Sequence, residues 1–188
     1  MSTVTAALIV RDEEQVIGDC LASLAGRVDQ IVVVDTGSRD RTMELVRRFP
    51  AELKQFEWRG DFAAARNHAL GWARGDWILY IDADERLSVP DQESFSGLLS
   101  DPRKVAWKLR LHPRVGWTAY SELRLFRNDP RIRFEGVIHE SIWPGIDAIV
   151  ASDGLEVGTC GLALHHVGYE ADQRPKNPRN MPLLQQRL

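Results

Sequence analysis

The stretch Ile31–Thr42, IVVVDTGSRDRT, places an aspartate and a turn directly after a run of β-branched residues. Such a run is typical of a strand buried on both faces of a parallel sheet. Ser38 or Asp40 can cap a helix whose apolar residues recur between Met43 and Phe49. The stretch therefore predicts a strand, a turn and a helix, which is the repeating unit of an α/β protein.

The sequence Asp-Thr-Gly-Ser also introduces the catalytic aspartate of pepsin-like proteases. That chemistry needs two aspartates that share a proton between two similar β lobes. This chain has a single Asp-Thr-Gly, and a predicted helix follows it. We therefore set the protease aside and expect Asp35 to contact the base or ribose of a nucleotide at the end of its strand. A purely structural role, as a helix cap, is the alternative.

The strand and helix pattern repeats on both sides of this stretch. Thr5–Val10 predicts a strand, and the apolar residues of Val16–Leu24 predict the helix after it. Glu52–Trp58 predicts a weaker strand, after which Asp61 caps a helix that stops at Gly75. The first half of the chain is thus expected to alternate strands with helices.

The run Asp76–Asp84, DWILYIDAD, is the most apolar of the predicted strands, and Ser88 with Pro90 predicts another short helix. After about residue 104 the pattern changes to short alternating strands, mostly β and loop, within VAWKLRLH, ELRLFRN and GLALHHV. The sequence therefore predicts an α/β fold with an open, mainly parallel central sheet flanked by helices, and antiparallel strands added in the C-terminal half. Such sheets bind ligands beyond the carboxyl ends of their strands.

The composition is that of one globular domain of 188 residues, with 44% hydrophobic residues, 27% charged residues and a net charge of -3. No basic excess points to a nucleic-acid partner. The N-terminal stretch has neither the pattern of a signal peptide nor that of a membrane span, so we expect a cytoplasmic protein. Cys20 and Cys160 are expected to be buried thiols. Trp107 is expected in the core, whereas Trp117 and Tyr120 fit either the core or a sugar-binding surface.

Asp82 and Asp84 carry the strongest chemical signal in the sequence. Two carboxylates one residue apart at the exit of a buried strand can converge on one hard divalent cation, such as Mg²⁺ or Mn²⁺. Capping of the following turn is the alternative. Because the pair follows the most apolar strand, we favour a metal-diphosphate site, where the cation would neutralise charge on a leaving diphosphate.

Other side chains suit the same site, and each also has an alternative role that involves no ligand. Arg66 can pair with a phosphate or with an acidic turn, or it can be a surface arginine. Glu140 can act as a general base, or it can be an exposed charge. His165 and His166 end an apolar run, so one imidazole should face inward, as a metal ligand or as part of the core.

Five segments, taken in this order, resemble family 2 glycosyltransferases of the GT-A fold: ALIVRDEEQVIGDCLASL, VDQIVVVDTGSRDRTMELVRRF, WRGDFAAARNHALGWARGDWILYIDADERL, FEGVIHESI and LHHVGYE. Within that family the chain is similar to lipopolysaccharide-core glucosyltransferases and peptide S-glycosyltransferases, many of which carry helical repeats after the catalytic domain. The resemblance implies a catalytic domain over 1–170, with a nucleotide-sugar half (1–104) and an acceptor half (105–170). Residues 171–188 would be a tail or the start of a further helical region.

The resemblance also implies which residues form the site. Those matched to the nucleotide-sugar donor are Val10, Arg11, Asp12, Asp35, Arg66 and Asp82. Asp84 and His166 match the metal ligands, and Glu140 matches the catalytic base of inverting members. Arg39 and Arg41 depart from the expected pattern beside the nucleotide turn, so the nucleotide preference stays open.

The implied activity is inverting, metal-dependent transfer of a hexose from a UDP-sugar to a hydroxyl of a glycan or lipopolysaccharide core, or to a peptide thiol. Mn²⁺ or Mg²⁺ would be the cofactor. A nucleotidyltransferase of related fold is one rival, although such enzymes commonly hold a triphosphate with a Gly-rich, basic loop and VRDEEQVIG is acidic. A non-catalytic nucleotide-sugar-binding domain is the other. Peripheral membrane association through a lipid-linked acceptor and the oligomeric state are left open.

Overall fold

The computed structural model describes residues 2–113 and 117–167, so the expectation for 171–188 lies outside the described residues. The strands are β1 (Val4–Val10), β2 (Gln30–Asp35), β3 (Glu52–Gln55), β4 (Trp77–Tyr80), β5 (Glu85–Ser88), β6 (Lys104–His112), β7 (Tyr120–Arg127) and β8 (Glu156–His166). The helices are α1 (Ile17–Leu24), α2 (Thr42–Val46), α3 (Phe62–Leu70), α4 (Gln92–Ser100) and α5 (Trp143–Asp153).

The described strands form one sheet in the order β3-β2-β1-β4-β7-β6-β8-β5. The pairs β2/β3, β1/β2, β1/β4 and β6/β8 are parallel. The pairs β4/β7, β6/β7 and β5/β8 are antiparallel. This arrangement confirms the predicted fold class, with parallel β1 to β4 and antiparallel strands added by the second half of the chain.

Both faces of the sheet are buried. Successive side chains of a strand point to opposite faces, so one strand contributes to two separate clusters. On β2, Val33 packs in a cluster with α1 residues such as Leu21, whereas Val32 and Val34 pack in a second cluster with Ile146 of α5 and with α3. Helices therefore cover both faces of the central strands, and the carboxyl ends of those strands remain open at the edge of the sheet.

Several predicted boundaries are wrong. Gly75 does not stop α3, which ends at Leu70; a Cβ at Gly75 would lie 2.6 Å from the backbone nitrogen of Thr5, so the glycine permits close approach to β1. The short helix predicted at Ser88 and Pro90 is present as α4 but begins later, at Gln92, because Ser88 ends strand β5. The strand predicted over Glu52–Trp58 ends earlier, at Gln55.

The helix α5 was not predicted, since the second half was expected to be strands and loops. Its boundaries carry ordinary signals: a proline lies in the first turn, and Gly154 follows the last turn with a left-handed φ of 69°. Its apolar side chains Ile146 and Ile149 are buried against the sheet. Proline and glycine also mark turns, so the residues that bound this helix were interpreted as turn signals and the helix was missed.

Trp107 is in the core, as predicted, with 7% of its surface exposed. Trp117 and Tyr120 are 65% and 51% exposed, so neither fills the core. Cys20 is a buried free thiol and Cys160 a half-buried one. Across residues 2–113 and 117–167, no helix has the length and apolarity needed to cross a bilayer.

Candidate active site

A cleft of about 330 Å³ opens at the carboxyl ends of β1, β2 and β4. Its lining combines residues from the β1 turn, the start of α3, the β4 turn, the loop before α5 and the end of β8. They are Ile9, Val10, Arg11, Glu13, Thr36, Trp58, Phe62, Arg66, Asp82, Ala83, Asp84, Ile138, His139, Glu140 and His166. Most of the residues matched to the donor, the metal and the base are thus brought together.

The turns after β1 and β2 hold each other through reciprocal hydrogen bonds. The Asp12 backbone N–H donates to Ser38 Oγ at 3.0 Å, and the Arg39 N–H donates to Asp12 Oδ1 at 2.7 Å. The Arg41 N–H donates likewise to Glu14 Oε2 at 3.0 Å. Arg39 and Arg41 thus fix the turn through their backbones while their side chains are exposed. Asp12 has a structural role, and its contact with uridine stays a prediction.

Asp35 lies beneath the cleft with 1% of its surface exposed and is not among the lining residues. Its Oδ1 accepts the backbone N–H groups of Gly37 and Ser38 at 2.9 and 3.0 Å. Its Oδ2 is buried and has no hydrogen-bond partner among the residues that the structure describes. One oxygen therefore caps the turn, and the other is an acceptor whose burial without a partner is costly.

Asp82 is held between two arginines. Its Oδ1 accepts from Arg66 Nη2 at 2.9 Å, and its Oδ2 lies 3.8 Å from Arg124 Nη1. Burial alone would raise the pKa of Asp82, but the two guanidinium groups outweigh it and lower the pKa to about 2. Asp82 is therefore an anion whose charge two arginines already offset.

Arg66 also holds Glu140, since its Nε donates to Glu140 Oε1 at 2.6 Å. Its guanidinium lies near the rings of Tyr80 and Phe134, at 5.2 and 5.5 Å from their centroids. The Arg66 side chain is only 11% exposed, so the alternative of a surface arginine is wrong. Burial would lower the pKa of Arg66, but Asp82 and Glu140 raise it further, and the guanidinium stays charged.

Helix α3 also fixes the loop that carries Glu140. The Asn67 side chain donates to the Phe134 carbonyl and accepts the Phe134 N–H, both at 2.8 Å. The Phe62 N–H donates to the carbonyl of Val137 at 3.0 Å. The loop is closed by paired backbone hydrogen bonds of 2.9 Å between residues 135 and 141. Within it, His139 has a left-handed φ of 55°, a conformation that non-glycine residues rarely adopt.

Asp84 and His166 face each other across the end of β8, with 3.5 Å between Asp84 Oδ2 and His166 Nε2. Their side chains are 13% and 18% exposed and line the cleft. His165 points away and stacks on His112 with centroids 4.6 Å apart. Of the two histidines, His166 is therefore the one beside the acidic turn.

The Asp84 and His166 pair can contribute one carboxylate and one imidazole to a divalent cation. Within the described residues no group of three or more histidine, cysteine or acidic side chains forms a metal cage. Mg²⁺ in such sites is typically held by one or two carboxylates together with substrate phosphates and water. The residues present thus fit a cation whose coordination is completed by a diphosphate.

Sequence reasoning missed Glu85 and Arg124, which support Asp82 from below. Arg124 binds both oxygens of Glu85, at 2.8 and 3.2 Å, and Glu85 Oε2 accepts the Asp82 N–H at 2.9 Å. Burial raises the pKa of Glu85 to about 8, against the opposing effect of Arg124. Glu85 directly follows the Asp82-x-Asp84 motif, and that position was the available signal. Arg124 lies in an alternating strand, where its burial has no local signature.

Comparison with known proteins shows the family. Residues 5–148 match the description "Glycosyl transferase family 2". The chain belongs to glycosyl transferase family 2. This membership confirms the family resemblance found in the sequence, and the matched region includes every proposed site residue except His166.

Three curated relatives are each longer than the region that they share with this chain. A TPR repeat-containing protein of Synechococcus elongatus is 44% identical over 76% of this chain and 36% of its own length. The glycosyltransferase SunS of Bacillus subtilis is 26% identical over 99% of this chain and 45% of its own. The lipopolysaccharide core biosynthesis glycosyltransferase LpsC of Rhizobium meliloti is 33% identical over 74% and 57%. The chain thus spans about half the length of these relatives.

Solved structures confirm the fold. TarS residues 1–349 of S. aureus, in complex with UDP, match with a TM-score of 0.71 and 16% identity over 96% of this chain and 64% of that one. The mannosyltransferase PcManGT of Pyrobaculum calidifontis, in complex with GDP-Man and Mn²⁺, matches with a TM-score of 0.70 and 21% identity over 97% and 62%. The expected GT-A architecture is therefore present in this family 2 domain.

Proposed function

We propose that this domain is an inverting, metal-dependent hexosyltransferase that uses a UDP-sugar as donor. The acceptor would be a hydroxyl of a glycan or lipopolysaccharide core, or a peptide thiol. One observation carries the proposal: Glu140, fixed by Arg66, shares a single cleft with the Asp84 and His166 pair. A base and a diphosphate-binding end are the two parts that such a transfer needs.

In the proposed reaction, Glu140 removes the proton from the acceptor O–H or S–H. The acceptor oxygen or sulfur forms a bond to the anomeric carbon of the hexose, and the bond from that carbon to the diphosphate oxygen breaks. UDP leaves with the bonding electron pair, and the proton stays on Glu140 until solvent takes it. Attack from the face opposite the leaving group inverts the anomeric centre.

The metal site of this proposal consists of Asp84 and His166. A bound Mn²⁺ or Mg²⁺ would supply electrostatic stabilisation of the charge on the departing diphosphate. Support comes from the 3.5 Å separation of the two side chains and from their position in the cleft wall. Asp82, already paired with arginines, is assigned to the ribose.

The uridine would lie between the turns after β1 and β2. Val10 and Arg11 line the cleft there, and Asp12 fixes the turn beside them. The unpartnered Oδ2 of Asp35 is a hydrogen-bond acceptor, so it favours a base that presents an N–H, as uracil does. Reaching that oxygen requires a small opening of the turn, since it is buried in the described structure.

The test is a thermal-shift and calorimetric screen of nucleotides and nucleotide sugars with and without Mn²⁺. We expect UDP and one UDP-hexose to raise the melting temperature only with the metal, and UDP to be released from that sugar. Asp84→Ala should lose binding, whereas Glu140→Gln should bind and not turn over. No response to any nucleotide by the wild type would refute the proposal.

A binding domain without catalysis is the second candidate, because the chain spans only part of its relatives. Metal-dependent UDP-sugar binding by the full-length protein, with no transfer and no hydrolysis, would select it. A nucleotidyltransferase is disfavoured by the acidic β1 turn, where Glu13 lines the cleft and Glu14 binds the neighbouring turn. A cytoplasmic location remains a prediction of the sequence.

A further inference from the structure

The cleft has an aromatic wall that the donor, metal and base residues do not explain. Trp58 and Phe62 both line it, and both are half-buried. Their rings meet edge to face, with centroids 4.8 Å apart and planes at 71°. An aromatic pair on the wall of a polar cleft exposes apolar surface that water solvates poorly, and it offers a flat face to a ligand.

The topology of the sheet fixes which end of the cleft these rings occupy. The Phe56 N–H donates to the Asp35 carbonyl at 2.9 Å, so the pairing of β3 with β2 continues to the very end of β2. Trp58 follows two residues later, in the loop after β3, and therefore lies beyond the paired carboxyl ends of β2 and β3. Asp84 follows β4, which is two strands away from β2 in the order β3-β2-β1-β4. That is a separation of roughly 10 Å.

A nucleoside diphosphate has a charged diphosphate at one end and a flat aromatic base at the other, and this cleft has a metal-binding pair at one end and an aromatic wall at the other. Its diphosphate belongs at the end with Asp84 and His166, so its base extends toward β2 and β3, where Trp58 stands. We propose that Trp58 is the residue on which the nucleobase of the donor stacks, with Phe62 supporting the indole from its edge. This inference rests on the proposed function, and it names a base-binding residue that the sequence motifs did not reveal.

Trp58 and Asp35 would have different roles in binding the base. Stacking on an indole is sequence-tolerant, because every base has a π face, so Trp58 supplies affinity for a base of any kind. Discrimination would come from the Asp35 acceptor, which needs an N–H opposite it. Diphosphate without a base should gain nothing from Trp58.

Calorimetry with three probes tests this role: UDP, uridine monophosphate and inorganic pyrophosphate, each with Mn²⁺. We expect Trp58→Ala to weaken UDP and the monophosphate by about 5- to 100-fold and to leave pyrophosphate unchanged. Trp58→Phe should recover most of the affinity. The matched control is Trp72→Ala, because Trp72 is 42% exposed and lies outside the cleft. It should bind all three probes as the wild type does.

The outcomes separate this inference from the proposed function. If the wild type binds UDP and Trp58→Ala binds it equally well, the stacking role is wrong and the proposed function stands. If Trp58→Ala weakens pyrophosphate as much as UDP, the effect is on the metal end, and the stacking role is again wrong. If the wild type binds no nucleotide, both proposals fall. Equal melting temperatures of the unliganded variants establish that each is folded. If the alanine variant is not folded, Trp58→Leu carries the test, because leucine keeps an apolar side chain and lacks the flat π face, so it should weaken UDP as the alanine variant would.

Discussion

Arg66 joins Glu140 to Asp82 through one guanidinium, with 2.6 Å from Nε to Glu140 Oε1 and 2.9 Å from Nη2 to Asp82 Oδ1. The planar fork presents donors in a fixed geometry to both carboxylates, whereas a lysine ammonium is a point charge on a flexible stem. The donor side and the base side of the cleft are thus fixed to the same turn of α3.

This bridge predicts that Arg66→Lys lowers kcat for UDP release from a UDP-hexose by about 10- to 100-fold, because misplacement of a reacting group by 1 Å has that effect. The affinity for UDP should change much less, since the positive charge is kept. In a Glu140→Gln background the same substitution should have little further effect on kcat, because the base it orients is already gone.

The control for this substitution is Arg59→Lys, because Arg59 is 75% exposed and pairs with Glu57 on the surface. It should leave kcat unchanged. A loss of UDP affinity in Arg66→Lys with kcat preserved would mean that Arg66 serves the donor alone.

Asn67→Ala should destabilise the fold by about 2 kcal/mol, because it leaves the N–H and carbonyl of Phe134 without their partner. It should also lower kcat, since the loop that carries Glu140 begins directly after Phe134. Asn128→Ala is the matched control: its amide binds the carbonyls of Ala73 and Gly75, away from the cleft. Urea unfolding should detect a loss in both variants, and kinetics a loss in Asn67→Ala alone.

Gly75→Ala should destabilise the protein by about 1–3 kcal/mol, because its Cβ would lie 2.6 Å from the Thr5 backbone nitrogen and neither backbone can move freely. Gly18→Ala, within α1, meets no atom within 4 Å and should stabilise by about 0.5–1 kcal/mol. Thermal denaturation of the two variants measures both signs. If Gly75→Ala changed the stability by the same amount and sign as Gly18→Ala, the contact between Gly75 and the Thr5 backbone would not be tight.

Glu52 gives a pH-dependent prediction. Hydrogen bonds from Arg74 and Gln30 lower the pKa of Glu52 from 4.5 to about 2. A carboxyl whose pKa is lower in the folded state stabilises the fold above its unfolded pKa, and that contribution is lost as the pH falls from 4.5 to about 2. Glu52→Gln should therefore unfold more readily than the wild type at pH 7, and the difference should vanish near pH 2. A constant difference across this range would contradict the assignment.

Much of the α/β half was predictable because its signals are local. The β-branched run of β2 and the Asp61 cap of α3 each depend on neighbouring residues, and the structure has both. Strand β5 was missed because it is short, and its pairing with β8 identifies it better than its own sequence does. Helix α5 was missed because turn-forming residues precede it, and its packing against the sheet identifies it better than its own sequence does.

The sequence by itself determined the strand and helix units, the family and the presence of Asp82, Asp84 and Glu140 as candidates. Only the tertiary structure decided how they are used. Glu140 lies 74 residues from Arg66 in the chain, and Asp82 lies 16 residues from it, yet one side chain contacts both. Long-range charge pairing of this kind depends on the register of the whole sheet and on the packing of α3, and no local pattern encodes either of them.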